Sequence, residues 1–198
     1  KTIDVKAYDD AKPGEPQMDA FRNTMLYTGK AVTQNKVALM AKEGQTPQEL
    51  TCGEHYTITY KNHVNKGTAS MTFTAKPESG YSGSFKKTFK ITAQELSRDG
   101  IVILPLNISG AAAQEGNASV QAVYSKNGAR LSLMVTNEAG TQLREGTDYT
   151  VKYKNNNAVT TAQTAENKTP CMTVTGKGNY VGKVEVPFTV IPASLSDA

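Results

Sequence analysis

An internal repeat limits the folds open to this chain. The stretch LTCGEHYTITYKN, from Leu50, recurs as LREGTDYTVKYKN from Leu143, with seven of thirteen positions identical. Further along, YSGSFKKTFKITAQELS from Tyr81 matches YVGKVEVPFTVIPASLS from Tyr180 at an offset of 99 residues, half the length of the chain. Self-similarity at a fixed period indicates one structural unit used more than once. The repeat therefore predicts two copies of one module, which we place at residues 1–95 and 96–198.

The tyrosines support the same alignment, because eight of the nine fall at matching positions in the two copies. The pairs are Tyr27 with Tyr124, Tyr56 with Tyr149, Tyr60 with Tyr153, and Tyr81 with Tyr180. Recurrence favours a structural role, since a tyrosine ring fills a core while its hydroxyl finds a polar partner. We interpret Tyr81 and Tyr180 as corner residues whose hydroxyls bond nearby backbone.

Alternating side chains predict β-strands in both copies. Tyr56, Ile58 and Tyr60 alternate with threonines, and the segment from Tyr149 to Tyr153 alternates in the same way. A period of two is that of a strand with one buried face, and glycine and asparagine turn signals separate these runs. The predicted fold class is all-β, with two tandem immunoglobulin-like antiparallel β-sandwiches. The predicted core residues are Tyr56, Ile58, Tyr60, Phe89, Tyr149, Val151, Tyr153 and Phe188.

Four segments in a fixed order carry a resemblance to known proteins. They are YTGKAV from Tyr27, LREGTDYTVKYKNN from Leu143, GKGNYVGKV from Gly176 and FTV from Phe188. This order is similar to that of the tandem Ig-like repeats in large secreted or cell-surface proteins of Gram-positive, often gut-dwelling, bacteria. The resemblance implies an extracellular location, secreted or attached to the cell wall. It also implies that the chain is a monomeric segment of a longer protein.

Charge and hydropathy exclude two classes of partner. The chain has 22 basic and 18 acidic residues, for a net charge of +4, and the two signs are interspersed rather than clustered. A nucleic-acid binder usually concentrates its basic residues on one face, so we expect no nucleic-acid partner. No apolar run approaches the length of a membrane helix, so we expect no membrane insertion. The mean hydropathy of -0.46 agrees with this expectation.

The sequence offers no convincing catalytic or metal-binding constellation. His55 and His63 lack Cys, Asp or Glu at a metal-ligand spacing that recurs in the second copy, and no Gly-x-Ser-x-Gly elbow is present. We therefore predict no enzyme activity, no catalytic residues, no metal site and no cofactor. Cys52 and Cys171 are expected to be free thiols. Two alternatives stay open: a Lys–Asn isopeptide crosslink, and a calcium site drawn from Glu95, Asp99, Glu145 and Asp148.

The predicted function is that of a non-catalytic structural or adhesive segment, a stalk or spacer, with the modules joined near residues 92–99. One alternative is a carbohydrate-binding accessory module of a secreted polysaccharide-degrading enzyme. Its candidate sugar-stacking residues are Tyr27, Tyr81, Tyr124 and Tyr180. A third candidate is a protein-binding adhesin tip, for which the extra polar stretch of the second copy, residues 160–168, is the expected surface. The candidate partners are a cell-surface glycan and a host or bacterial surface protein.

Overall fold

The computed structural model describes residues 3–5, 21–34, 39–41, 48–106 and 120–194, and these form an all-β protein. The prediction of an all-β chain is confirmed: within these ranges there is no α-helix, only two single-turn 3-10 helices. The chain divides into two compact units, Lys1–Thr92 and Ala93–Ala198, called unit 1 and unit 2 below. The boundary expected between residues 95 and 96 falls at the end of a short strand of unit 2.

Unit 1 contains a four-stranded and a three-stranded sheet. The four-stranded sheet has the order β2-β7-β6-β5, with antiparallel pairing except between β2 and β7, which are parallel. The three-stranded sheet has the order β1-β3-β4 and is antiparallel. The strands are β1 (Ile3–Val5), β2 (Thr24–Leu26), β3 (Leu39–Ala41), β4 (Gln48–Leu50), β5 (Tyr56–Lys61), β6 (Gly67–Ala75) and β7 (Ser84–Thr92).

One face of the four-stranded sheet forms the core of unit 1. Met71 and Phe73 of β6 and Phe89 and Ile91 of β7 are almost wholly buried, while the threonines and lysines between them are outward. Tyr56 of β5 is buried beside Phe73, with ring centroids 5.9 Å apart. The apolar positions of each strand recur with a period of two, which places them all on one side of the sheet.

The described residues of unit 2 form one three-stranded sheet, β12-β13-β15, and three two-stranded pairs. The pairs are β11 with β9 (antiparallel), and β10 with β16 and β14 with β8 (both parallel). The strands are β8 (Gln94–Glu95), β9 (Val102–Leu106), β10 (Gln121–Val123), β11 (Ser132–Thr136), β12 (Tyr149–Lys154), β13 (Cys171–Gly176), β14 (Tyr180–Val181), β15 (Lys183–Pro187) and β16 (Thr189–Ile191).

Equivalent strands pair in the same way in the two units. The parallel pairing of β2 with the end of β7 has its counterpart in the parallel pairing of β10 with β16. Where β7 runs without interruption, unit 2 has two strands, β15 and β16, separated at Phe188. Pro187 ends β15 because proline has no backbone N–H to donate to a neighbouring strand. Phe188 remains buried, and its N–H donates to the carbonyl oxygen of Pro170 at 3.0 Å.

The eight predicted core residues fall into two groups, one buried and one half-buried. Tyr56, Phe89, Tyr149 and Phe188 are buried, with 2%, 2%, 4% and 4% of their surface exposed. The remaining four are half-buried: Ile58, Tyr60, Val151 and Tyr153. All eight lie on or beside the strands that the alternation predicted.

In each unit, one tyrosine hydroxyl forms a hydrogen bond with the backbone of a segment distant in sequence. The N–H of Gln34 donates to the hydroxyl oxygen of Tyr60 at 2.8 Å, and the N–H of Leu131 donates to that of Tyr153 at 3.3 Å. The Tyr153 hydroxyl in turn donates to the carbonyl oxygen of Leu131 at 2.9 Å. The hydroxyl of Tyr180, for which we expected a corner role, accepts a hydrogen bond from the Asn137 side chain at 3.3 Å.

Candidate ligand-binding cleft

The loop after β12 is where the two units differ most. In unit 1 residues 62–66 connect β5 to β6, whereas in unit 2 residues 155–170 connect β12 to β13. Both connections begin with an asparagine in the left-handed region, Asn62 at φ 54° and Asn155 at φ 57°. Asparagine tolerates this conformation better than most side chains do. The two connections thus begin with the same backbone conformation, and their paths differ only after the asparagine.

Asparagine side chains hold the start of the long loop in place. The Nδ2 of Asn155 donates to the carbonyl oxygens of Asn167 and Thr169, both at 3.2 Å, and so ties the first residue of the loop to its far end. The Nδ2 of Asn156 donates to the carbonyl oxygen of Ala129 at 2.8 Å, and the N–H of Ala129 donates back to the carbonyl oxygen of Asn156 at 2.8 Å.

Threonines hold the middle of the loop. The N–H of Thr160 donates to the carbonyl oxygen of Val190 at 2.8 Å, and the N–H of Val190 donates to Oγ1 of Thr160 at 2.9 Å. Thr161 and Thr164 form a similar reciprocal pair, with distances of 2.9 and 3.0 Å. A 3-10 turn, Glu166–Lys168, follows. Because its backbone groups are bonded in this way, the loop is an ordered structure with side chains available for other contacts.

These segments enclose an open cleft of about 530 Å³. Its volume lies within the range of small-molecule sites in proteins. Its lining combines amides, hydroxyls, one ammonium group and small apolar groups, with no carboxylate. The lining residues are Asn155, Asn157, Ala158, Val159, Thr160, Gln163, Thr164, Ala165, Lys168 and Pro170. Such a lining offers hydrogen-bond donors and acceptors together with one positive charge, which suits a polar ligand that is neutral or negatively charged.

The sequence indicated part of this site and missed the rest. The sequence predicts the polar stretch at residues 160–168 as the distinctive surface of the second copy, and five of its residues line the cleft. The sequence does not single out Asn155 and Asn157 as site residues, because the similarity between the two copies ends at Asn62 and Asn155. Their signal was a run of three asparagines directly after a strand, a composition typical of loops.

Cys171 lies directly after the cleft residue Pro170 but is poorly suited to nucleophilic chemistry. Burial raises the pKa of its thiol, which disfavours the reactive thiolate. Cys171 and Cys52 are both free cysteines.

The four tyrosines proposed for sugar stacking lie in different environments. Tyr81 and Tyr180 are only 7% and 1% exposed, so little of either ring could meet a sugar face. Tyr27 is half-buried, whereas Tyr124 is 40% exposed. None of the four lines the cleft.

The two histidines and one of the candidate calcium ligands form contacts within their own units. The Nδ1 of His55 accepts a hydrogen bond from the N–H of Thr51 at 2.9 Å, and the ring of His63 lies 5.2 Å from that of Tyr60. Asp148 accepts a hydrogen bond from the N–H of Arg144 at 2.9 Å. Among the described residues, no three or more His, Cys, Asp or Glu side chains gather where they could hold a metal ion.

No protein-family model, curated protein or solved structure matches the chain. In the part of the chain that the structure describes, no helix has both the length and the apolar character needed to span a membrane.

Proposed function

We propose that this chain is a structural and adhesive segment of a secreted or cell-wall-attached bacterial protein, built from two tandem Ig-like β-sandwiches. In this proposal the shared sheets of the two units serve as scaffold, and unit 2 binds a polar ligand on a cell surface through its cleft. The observation that carries it is the ordered 155–170 loop and its cleft, which replace a five-residue turn at the same place in unit 1.

The loop favours a binding role over that of a plain spacer. Ordering a backbone residue costs about 1–2 kcal/mol of conformational entropy, so a long ordered loop is costly unless it serves a purpose. Connections longer than about 12–15 residues are uncommon in compact domains, and ordered ones of that length are usually functional. Three of the side chains that line the cleft, those of Asn157, Gln163 and Lys168, are exposed and face solvent. Their amides and ammonium group can bond directly to a ligand.

The frame of unit 2 has a counterpart in unit 1. The Nζ of Lys177 donates to the carbonyl oxygen of Gly146, as the Nζ of Lys76 does to that of Gly53 at 2.8 Å. The residue Ala93 alone separates β7 from β8 along the chain, a connection that suits modules used in series. Both features support the scaffold half of the proposal.

A second candidate function, sugar stacking, is favoured by one specific observation. Tyr124 is 40% exposed, so its ring offers an aromatic face to a saccharide. Stacking on this ring would make unit 2 a carbohydrate-binding module through a surface outside the cleft.

Binding to an array of glycans and purified surface proteins tests both candidates. We compare the full chain with a cleft variant, N157A/Q163A/K168A, and with Tyr124→Ala. A matched control, N127A/Q142A/K126A, removes the same three side-chain types from exposed positions of unit 2 outside the cleft. The proposal predicts a ligand whose binding is lost in the cleft variant alone. Loss in Tyr124→Ala alone would favour sugar stacking, and a folded chain that binds nothing would leave only the spacer role.

A further inference from the structure

The outward face of the main sheet of unit 1 carries only hydroxyl and ammonium groups on its three long strands. On β5 these are Thr57, Thr59 and Lys61; on β6, Thr68, Ser70, Thr72 and Thr74; and on β7, Ser84, Lys86, Thr88 and Lys90. We call this surface the hydroxyl–lysine face. It belongs to a different unit from the cleft and does not depend on the function proposed for the cleft.

The strand register arranges these groups in rows across the sheet. One row runs from Thr57 through Thr74 to Ser84, the next from Thr59 through Thr72 to Lys86, and the third from Lys61 through Ser70 to Thr88. A fourth pairs Thr68 with Lys90. Because the opposite side of the same strands is the core, all of these side chains lie on one surface.

The face is accessible and has no negative charge. Its three lysines are exposed, whereas on the central strand Ser70 is buried, with 8% of its surface exposed, and Thr72 is half-buried. No carboxylate occupies any outward position of β5, β6 or β7. Neither does an apolar or aromatic side chain, so these three strands lack the groups that insert into a lipid layer or stack on bases. The apolar residue beside the face is Leu26 of the edge strand β2, which is half-buried and in register with Thr92.

The matching surface of unit 2 has a different composition. Its outward rows are Thr150–Thr175–Lys183, Lys152–Thr173–Glu185 and Lys154–Cys171–Pro187. Here Glu185 places a negative charge among the lysines. A purely positive face is therefore not a necessary result of this sheet architecture.

The spacing of the lysines suits an extended ligand. Lys86 and Lys90 lie four residues apart on one strand, or about 13 Å, and Lys61 lies two strands away, or about 10 Å. The threonine hydroxyls between them both donate and accept hydrogen bonds. We infer that the hydroxyl–lysine face binds a carboxylated polysaccharide, whose carboxylates meet the lysines and whose hydroxyl groups meet the threonine rows.

Binding of the full chain to polygalacturonate, with neutral dextran as reference, tests this inference. The face variant K61Q/K86Q/K90Q is matched by K152Q/K154Q/K183Q, which removes the same charge from the outward face of unit 2. We expect salt-sensitive binding to polygalacturonate that weakens about tenfold in the face variant, since each exposed ion pair contributes little alone. The unit 2 variant and the cleft variant N157A/Q163A/K168A should bind as the unaltered chain does.

Four results would overturn the inference. The first is a folded chain that does not bind polygalacturonate, and the second is equal loss in the two lysine variants, which would make the effect one of net charge alone. The third is loss in the cleft variant, which would place the polymer in unit 2. The fourth is binding to anionic lipid vesicles or single-stranded DNA as tight as to polygalacturonate at equal charge. Thermal melting of each variant shows that any loss occurs in a folded protein.

Discussion

His55 and Asp148 hold matching places in the two units and make the same hydrogen bond with different chemistry. The Nδ1 of His55 accepts from the N–H of Thr51, and Oδ2 of Asp148 accepts from the N–H of Arg144, both at 2.9 Å. Each bond closes the turn before β5 or β12, and the acceptor is the side chain four residues after the donor. The histidine therefore replaces an aspartate as a turn acceptor.

Exchange of this acceptor tests its role. We expect His55→Asp to leave the stability of unit 1 nearly unchanged, because the carboxylate can take the same N–H. His55→Ala should cost about 0.5–1.5 kcal/mol, the usual net contribution of such a bond. Denaturant unfolding of the full chain measures both changes. Equal destabilisation by the two substitutions would show that the imidazole contributes through packing, for which its contact with Tyr81, at 6.0 Å between ring centroids, is the candidate.

Tyr56 gives unit 1 a dependence on alkaline pH. Burial raises the pKa of its phenol from 10.0 to about 12, so the folded protein holds a proton that the unfolded chain releases. Stability from this group is complete below about pH 10 and is lost as the pH rises toward 12. Burial also raises the pKa values of Tyr60, Tyr149 and Tyr153.

Denaturant unfolding as a function of pH checks this dependence. The unfolding midpoint should fall above pH 10, and it should fall less in Tyr56→Phe, which lacks the ionising hydroxyl. Tyr124→Phe, at an exposed position, is the control and should follow the unaltered chain. A Tyr56→Phe profile that runs parallel to the original would contradict the assignment of the loss to Tyr56.

At the scale of the elements, local pattern predicted the strands but not their partners. The alternation around Tyr56 and Tyr149 indicated β5 and β12, and both strands are present. The short strand β8, in contrast, pairs with β14, far along the chain, and Leu96 beside it is only 1% exposed. A pairing across such a distance leaves no local signature in the sequence.

Local sequence pattern also does not predict the hydrogen bonds of the Tyr60 and Tyr153 hydroxyls or the cleft of unit 2. Periodicity identified Tyr60 and Tyr153 as inward-facing, but it contains no information on which tyrosine hydroxyl will meet the backbone of another strand. The cleft likewise depends on Asn155 reaching the carbonyl oxygens of Asn167 and Thr169. Contacts of this kind follow from the path of a loop in space, which composition alone does not define.

Gly176 at the end of β13 is required by the tight turn that follows it. A Cβ built at this glycine would lie 2.6 Å from the backbone nitrogen of Val181, closer than real Cβ contacts. Unit 1 has Ala75 at the matching register, where a longer turn containing the 3-10 helix Pro77–Ser79 precedes Tyr81. The length of the turn therefore determines whether a side chain fits.

We expect Gly176→Ala to destabilise unit 2 by about 1–3 kcal/mol, the usual cost of overpacking. The same substitution combined with the longer turn, residues 76–80 in place of 177–179, should recover much of that loss. Thermal or denaturant unfolding of the full chain gives both values. If Gly176→Ala alone were neutral, or if the longer turn gave no recovery, the backbone approach would not be what requires glycine.

At the scale of the whole molecule, the two units share a frame and differ in what they display. The shared frame includes the hydrogen bonds of the Tyr60 and Tyr153 hydroxyls, the paired lysine-to-glycine hydrogen bonds and the parallel pairing of β10 with β16 and of β2 with β7. The differences lie at the surface, in the 155–170 loop of unit 2 and the hydroxyl–lysine face of unit 1. In our account each unit uses the common frame to present a different surface to a ligand.

The most direct test is to give unit 2 the short connection of unit 1. Residues 63–69 replace residues 156–170, which keeps Ser70 and Cys171 in equivalent registers opposite Lys61 and Lys154. The ligand identified on the array is then titrated against this variant and against the unaltered chain. We predict a folded protein that no longer binds. Undiminished binding by a folded loop-replacement variant would contradict the claim that unit 2 acts through its cleft.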